Sequence, residues 1–276
     1  MKKKLFTRNF LLLIFGQASS LFGNSILRLA LSMYILDRTG SAALFGGVLS
    51  VAVVPTILLS PLGGFLADRM DRRNLMVLLD ALTGSAVLLT ALTLSWRDSI
   101  SPVVQLLVFL SVLGAFETPT VQACIPSMLS GDNIVRGNAV VSQAAAISGL
   151  TAPALGGFLY AAFGLLPVMY TSILCFFATA ASECFIHLDR RQPSEGGRLL
   201  SMVRQDLSLC TKYLCRERPS VLKLLLLAAL SNFFVMGAAA VGFPYLVRTV
   251  LGLDARYYGA AESALAVAAL GGSIAA

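Results

Sequence analysis

Arg28 and Glu117 stand inside long apolar runs, where an ionisable side chain needs a reason. A charge at the middle of a bilayer costs about 3 kcal/mol or more. Arg28 does not stand alone. Ser20, Asn24 and Arg28 follow Gln17 at three, seven and eleven residues, so all four share a narrow arc of one helical face. Such a stripe must face protein or water rather than lipid. Glu117 lies beside Thr118 and Pro119, with Thr120 close by. These residues offer polar binding and charge pairing. Arg28 either lines a pathway or is a structural arginine paired within the bundle.

Covalent chemistry finds little support. His187 is the only histidine, at the end of an apolar run, so a histidine metal cluster is excluded. Cys124, Cys175, Cys184, Cys210 and Cys215 lie mostly in or beside apolar runs and read as small packing residues. Cys210 and Cys215 lack the spacing and partners of a zinc site. No phosphate loop or catalytic triad is present, and the glycine-rich stretches lie within apolar runs. No cofactor and no metal are expected, and the chain is not read as an enzyme.

The elements that carry these residues follow from composition. Hydrophobic residues make up 57% of the chain and charged residues 13%, with a mean hydropathy of +0.81. A soluble domain carries about 25% charged residues. About 20 apolar residues span a bilayer as a helix. Eight runs meet that length: Phe10–Leu36, Leu44–Leu66, Leu75–Trp96, Val103–Ile125, Ala139–Phe163, Leu165–His187, Val221–Val247 and Tyr257–Ala276. Barrel-type alternation is absent, and helices satisfy their own backbone groups in lipid. The expectation is an all-α membrane protein.

Charge sorts by side. With the N-terminus inside, sixteen of the 21 basic residues lie inside, among them Lys2, Lys3, Lys4, Arg8 and Arg136. Arg38, Arg97, Arg248 and Arg256 lie outside, and Arg28 lies within a span. This sets a cytoplasmic N-terminus in a multi-pass protein of the cell membrane, with a bacterial plasma membrane as the expected setting. The net charge of +7 therefore serves topology, and no nucleic-acid partner is expected. The first run is too long for a signal peptide and reads as an uncleaved helix.

Three segments are expected. Residues 1–188 form a six-helix bundle. Residues 189–218 form a cytoplasmic central loop, in which Leu199, Leu200, Val203, Leu207, Cys210 and Leu214 share a face of an amphipathic helix on the inner membrane surface. Residues 219–276 hold two more helices, and the apolar ending suggests a fragment of a longer chain. Tyr34 and Gly46-Gly47 are echoed by Tyr245 and Gly259, a faint internal repeat.

Two motifs carry a resemblance. Gly64-Phe65-Leu66-Ala67-Asp68-Arg69-Met70-Asp71-Arg72-Arg73 resembles the signature loop of the major facilitator superfamily, with Asp71 where the family usually has a second glycine. The fifth run holds Gly149, Pro153, Gly156 and Gly157, which resembles the fifth-helix signature of antiporters in that superfamily, with Ala152 in place of a glycine. The alternatives are a basic loop that only sets topology and generic helix packing. Phe116-Glu117-Thr118-Pro119, Ile125-Pro126, Gly137-Asn138-Ala139 and Tyr213–Leu226 make the chain similar to the macrolide-efflux and enterobactin-exporter branch.

The resemblance implies the major facilitator fold: a six-helix bundle plus the first two helices of a second bundle, apparently truncated. It implies that Gly64, Asp68, Arg69, Arg72 and Arg73 form a conformational-switch loop that stabilises the outward-facing state. It places Gln17, Asn24, Arg28 and Glu117 on the central cavity. There Glu117 could carry a proton, or serve as a fixed partner for a cationic substrate or an arginine. Asp80 and Glu183 lie on helices peripheral in that fold and read as structural partners of inner-surface basic residues. Glu262 could contact the first half.

The function implied is export of a small amphiphilic molecule, such as an antibiotic or a siderophore, by proton antiport with alternating access. The partners are that substrate, protons and the lipid bilayer. The other readings are nutrient uptake by the same fold and a truncated product that does not transport. Trp96 is the only tryptophan and lies at a membrane interface, which weakens a sugar-porter reading.

Overall fold

A computed structural model describes residues 5–96, 99–187, 208 and 211–275, without the side chains of Asp68, Met236, Ala238 and residues 269–275. Among the described residues the regular structure is helical, with no strand. The first six helices are α1 (Arg8–Thr39), α2 (Ala42–Arg69), α3 (Arg72–Trp96), α4 (Ser101–Met128), α5 (Asp132–Phe163) and α6 (Leu165–Cys184). Then follow α7 (Pro219–Tyr245), continued by a π turn at Leu246–Val250, and α8 (Ala255–Ala275). A second π turn, Tyr213–Glu217, precedes α7. Among the described residues seven helices are long and apolar enough to cross a membrane, and these are α1 to α7. The amphipathic surface helix expected over 199–214 lies outside the described residues except for its end.

Local chemistry sets the helix ends. Thr7 caps α1 by accepting a hydrogen bond from the Phe10 backbone N–H at 3.3 Å. Gly40 ends α1 at φ +59°, and its N–H returns to the Leu36 carbonyl at 2.8 Å. Ser41 then caps α2 through the Leu44 N–H. One glycine, Gly164 at φ +80°, joins α5 to α6. That left-handed backbone suits glycine and reverses the chain in a single residue.

The bundle packs α1 against α5 and α6, α3 against α4 and α6, and α2 against α4. Its main core joins Ile26, Leu27, Leu31 and Ile35 of α1 with Val103 and Leu107 of α4 and Val168, Met169 and Phe176 of α6. Helices in lipid gain no hydrophobic drive from each other, so small residues and hydroxyls carry the close contacts. A Cβ on Gly63 would sit 2.2 Å from the Ala115 carbonyl oxygen, so α2 and α4 meet backbone to backbone there. Along α1 and α6, the Ser172 hydroxyl donates to the Gly23 carbonyl and the Thr179 hydroxyl to the Gly16 carbonyl, each at 3.0 Å. The Ser19 hydroxyl donates to the Cys175 carbonyl at 3.2 Å.

The two later helices attach differently. α8 lies along α5, while α7 touches α2 lightly, where Val241 meets Gly46. Leu29 and Met33 of α1 meet Val247, Ala255 and Tyr258 in a small separate core. Outward-facing Leu11, Phe15, Ile57, Leu58, Leu89, Leu174 and Phe233 form the apolar exterior that a bilayer requires.

Candidate functional site

The polar stripe on α1 leads into the interior of the bundle. Gln17 and Ser20 are buried, whereas Asn24 is half-buried and Arg28 is exposed on the same arc. Asn24 Oδ1 accepts from Arg28 Nε at 2.8 Å, which fixes the guanidinium along the helix one turn back. Arg28 interacts electrostatically with Glu117 of α4. The structure thus brings together the arginine and the carboxylate that the sequence placed on separate runs.

Ser20 is the joint. Its hydroxyl lies 3.1 Å from Glu117 Oε1 and 3.0 Å from Asp80 Oδ1 on α3. Three helices therefore meet at one side-chain oxygen. Glu183 of α6, fully buried, comes within hydrogen-bond reach of Asp80. Asp80 and Glu183 act on each other and on Glu117, and Ser20 bonds Asp80, while the inner-surface Arg73 bonds the Cys184 carbonyl beside Glu183 rather than either carboxyl. Sequence reading missed this convergence. One signal was available: Asp80 stands about 12 Å along α3 from Arg72 at 1.5 Å per residue, too deep for easy pairing with loop arginines.

The signature loop between α2 and α3 holds the bundle's other polar centre. Arg72 donates from Nε to the Ala67 carbonyl at 2.9 Å and from Nη1 to the Ala123 carbonyl at 2.9 Å, and also reaches the Ser127 hydroxyl. It fastens the end of α2 to α4. Arg73 Nη2 donates to the Cys184 carbonyl at the end of α6. The Arg69 guanidinium lies over the Phe65 ring, 4.3 Å from its centroid. Asp71, the departure from the family's glycine, has a local task. Its Oδ1 accepts from the backbone N–H groups of Arg73 at 3.2 Å and Asn74 at 3.4 Å, so it caps α3. Gly64 has open space around it. Asp68 lies in the last turn of α2, and its side chain lies outside the described residues.

The four residues of the α5 motif part ways. Gly149 faces open space. Gly156 faces α1, where a Cβ would come 3.1 Å from Ile26 Cα. Gly157 faces α8, where a Cβ would come 2.6 Å from the Ala255 carbonyl oxygen. Pro153 has no backbone N–H to donate, and its carbonyl oxygen would lie 2.1 Å from a Cβ on Gly259. Pro153, Gly157 and Gly259 therefore make the tightest seam between the first six helices and α8.

At the end of the bundle opposite the signature loop, a charged latch adds to this seam. Arg248 grips Asp37 Oδ1 through Nε at 2.9 Å and Nη2 at 2.6 Å. Its Nη1 donates to the Leu253 carbonyl at 2.9 Å. The Tyr160 hydroxyl donates to Asp37 Oδ2 at 2.9 Å. Asp37 was not among the residues the sequence singled out. The repeat contained the clue: Asp37 stands three residues after Tyr34, as Arg248 stands three after Tyr245. Glu262, which could contact the first half, accepts from the Tyr258 hydroxyl on its own helix.

Comparison with known proteins gives these features a context. A family model described as Major Facilitator Superfamily matches residues 13–276. Macrolide efflux protein A of Streptococcus pyogenes is 26% identical over 160 residues, 58% of this chain and 40% of that protein. An uncharacterized MFS-type transporter of Bacillus subtilis, YfiS, is 30% identical over 162 residues, 56% of this chain and 37% of that protein. The staphyloferrin A transporter of Staphylococcus aureus is 25% identical over 182 residues, 64% of this chain and 43% of that protein. The chain thus aligns with less than half the length of each of these relatives.

Proposed function

Because the chain belongs to the major facilitator superfamily, we propose that it forms the first half and the start of the second half of a secondary transporter that exports a small amphiphilic molecule, with protons as the counter-ion. It lies in the cell membrane with its N-terminus in the cytoplasm. The observation that carries the reading is the junction of Arg28, Ser20 and Glu117, which places an arginine and a carboxyl on the facing sides of α1 and α4. Such a pair can exchange partners. With a proton on Glu117 the arginine is released, and with the proton gone the two attract.

Direction and substrate class are supported by the relatives, two of which are named for macrolide efflux and staphyloferrin transport. The seam of Pro153, Gly157 and Gly259 supplies a contact that can open and close between halves, as alternating access requires. In this reading the Asp37–Arg248 latch lies at the outer face, and the signature loop lies at the inner face.

Transport of a macrolide by the complete protein in inside-out vesicles, driven by an imposed pH gradient, tests the reading. Uptake into such vesicles is expected, and Glu117→Gln abolishes it. Unchanged uptake with Glu117→Gln removes Glu117 from coupling. Movement in the opposite direction identifies an importer.

A further inference from the structure

Glu183, Asp80, Ser20 and Glu117 stand in a row across four helices, α6, α3, α1 and α4. Ser20 Oγ is 3.0 Å from Asp80 Oδ1 and 3.1 Å from Glu117 Oε1. Asp80 and Glu183 are in hydrogen-bond reach of each other. Ser20, Asp80 and Glu183 are all buried, with 1%, 2% and 0% of their surface exposed. Asp80 Oδ2 and both Glu183 oxygens find no donor among the described residues, and neither does Gln17 Nε2, one turn from Ser20, find an acceptor. A buried carboxyl oxygen without a donor is costly, so the missing hydrogens have to be accounted for.

Counting hydrogens decides what is missing. The row contains three oxygen-to-oxygen contacts, and each needs one hydrogen between its oxygens. The Ser20 hydroxyl supplies one. An ionised carboxylate only accepts and supplies none. Two further hydrogens must therefore sit on the carboxyl groups. Two bare carboxylates in contact would repel in any case, and a pair of this kind holds a proton between them. Three carboxyls with two protons carry a single negative charge, which the positive charge of Arg28 near Glu117 balances.

The surroundings leave this count intact. α1 contributes Arg28, α4 contributes Cys124, and α6 contributes Cys184. Asp71, Arg72 and Arg73 stand at the start of α3. There Arg72 binds the carbonyls of Ala67 and Ala123, and Arg73 that of Cys184. Arg73 thus stands one residue from Glu183, at Cys184, with its buried Nε lacking an acceptor, yet among the described residues no cation donates a hydrogen bond to Asp80 Oδ2 or to either Glu183 oxygen.

We propose that Asp80, Glu117 and Glu183 form one two-proton binding site, joined by the Ser20 hydroxyl, which passes a proton between the buried Asp80–Glu183 pair and Glu117. In the transfer Asp80 gives its proton to Ser20 Oγ while Ser20 gives its own to Glu117 Oε1. The O–H bond of Asp80 breaks, that of Glu117 forms, and the serine is unchanged. Asp80 and Glu183 belong to the proton machinery rather than to the scaffold. The site deepens the proton-driven reading above, and rests on it for transport but not for the presence of the protons.

Infrared spectroscopy of the protein in lipid tests the site directly, because a neutral carboxyl has its own C=O stretch that shifts in deuterium oxide. The wild type is expected to show neutral-carboxyl absorption at neutral pH that vanishes on alkaline titration. Asp80→Asn and Glu183→Gln each remove part of it, with helix content by circular dichroism unchanged. Glu183→Asp retains it at a shifted position. Absence of the absorption in the wild type, or its persistence unaltered in both Asp80→Asn and Glu183→Gln, overturns the proposal. The wild-type titration stands without any variant. The bands as expected, together with export indifferent to a pH gradient, would defeat proton antiport and leave the site standing. Export that follows the gradient in every variant, with the bands absent, would do the reverse. Ser20→Ala is expected to keep the absorption and slow gradient-driven export severalfold.

Discussion

Replacing Gly259 by alanine is the sharpest perturbation of the seam between the first six helices and α8. A Cβ there would stand 2.1 Å from the Pro153 carbonyl oxygen, against the 3.4 Å at which ordinary contact begins. The shortfall is about 1.3 Å, and the obstacle is backbone, so no side-chain rotation relieves it. At Gly157 the distance is 2.6 Å and the shortfall about 0.8 Å. Overpacking of this kind costs about 1–3 kcal/mol, with Gly259 toward the upper end. Alanine recovers about 0.5–1 kcal/mol of helix propensity, which offsets part of the cost. The net penalty of about 1–2 kcal/mol shifts the balance away from the closed seam by roughly 5–30-fold.

Gly149 is the control, because open space surrounds it. Gly149→Ala gains the propensity term alone, about 0.5–1 kcal/mol. Spin labels at Phe158 on α5 and Tyr257 on α8, both well exposed, would report the seam by pulsed resonance. The closed-distance population is expected to fall in Gly259→Ala, to fall less in Gly157→Ala, and to hold in Gly149→Ala. If Gly259→Ala gives the same distances and the same thermal stability as Gly149→Ala, the steric reasoning fails.

The Asp37–Arg248 pair is partly exposed, so a double-mutant cycle on thermal unfolding should give a coupling of about 0.2–1 kcal/mol that declines with added salt. At Asp71, alanine should cost about 1 kcal/mol through loss of the α3 cap, and glycine only a few tenths, as measured by thermal unfolding. Arg72→Lys should destabilise by about 1–3 kcal/mol in the same measurement, because an ammonium cannot serve Ala67, Ala123 and Ser127 with the spread of a guanidinium.

The helices were legible because hydrocarbon imposes a length and a composition that few other environments do. One boundary was legible to the residue, the break at Gly164 between Phe163 and Leu165, whereas the caps at Thr7 and Gly40 carry α1 beyond the expected Phe10–Leu36. The polar stripe on α1 was legible from spacing alone, since all its members share one helix. What joins it to other helices was not. Ser20 meets Asp80 and Glu117 only because α1, α3 and α4 converge, and nothing in the local sequence of any one of them records the others. Asp80 and Glu183 looked like scaffold because the helices that bear them were expected at the periphery. Their depth, rather than their helix, governs what they touch. The α5 motif shows the converse. Its Gly156 and Gly157 lie side by side in the chain, yet they point about 100° apart and serve different neighbours, α1 and α8.

The Asp37–Arg248 latch also has a place in time. Its partners are 211 residues apart in the chain. At about 5–20 residues per second, the ribosome needs roughly 10–40 s to make the second partner after the first. Through that interval Asp37 has Tyr160 as its hydrogen-bond donor once α5 is in place. The hydroxyl contacts between α1 and α6, and the Ser20 junction, use only residues already made, so the first bundle can assemble without the latch. Closure of that end is then a late event of biogenesis, and nascent chains arrested before α7 should hold an assembled bundle whose Asp37 end stays open.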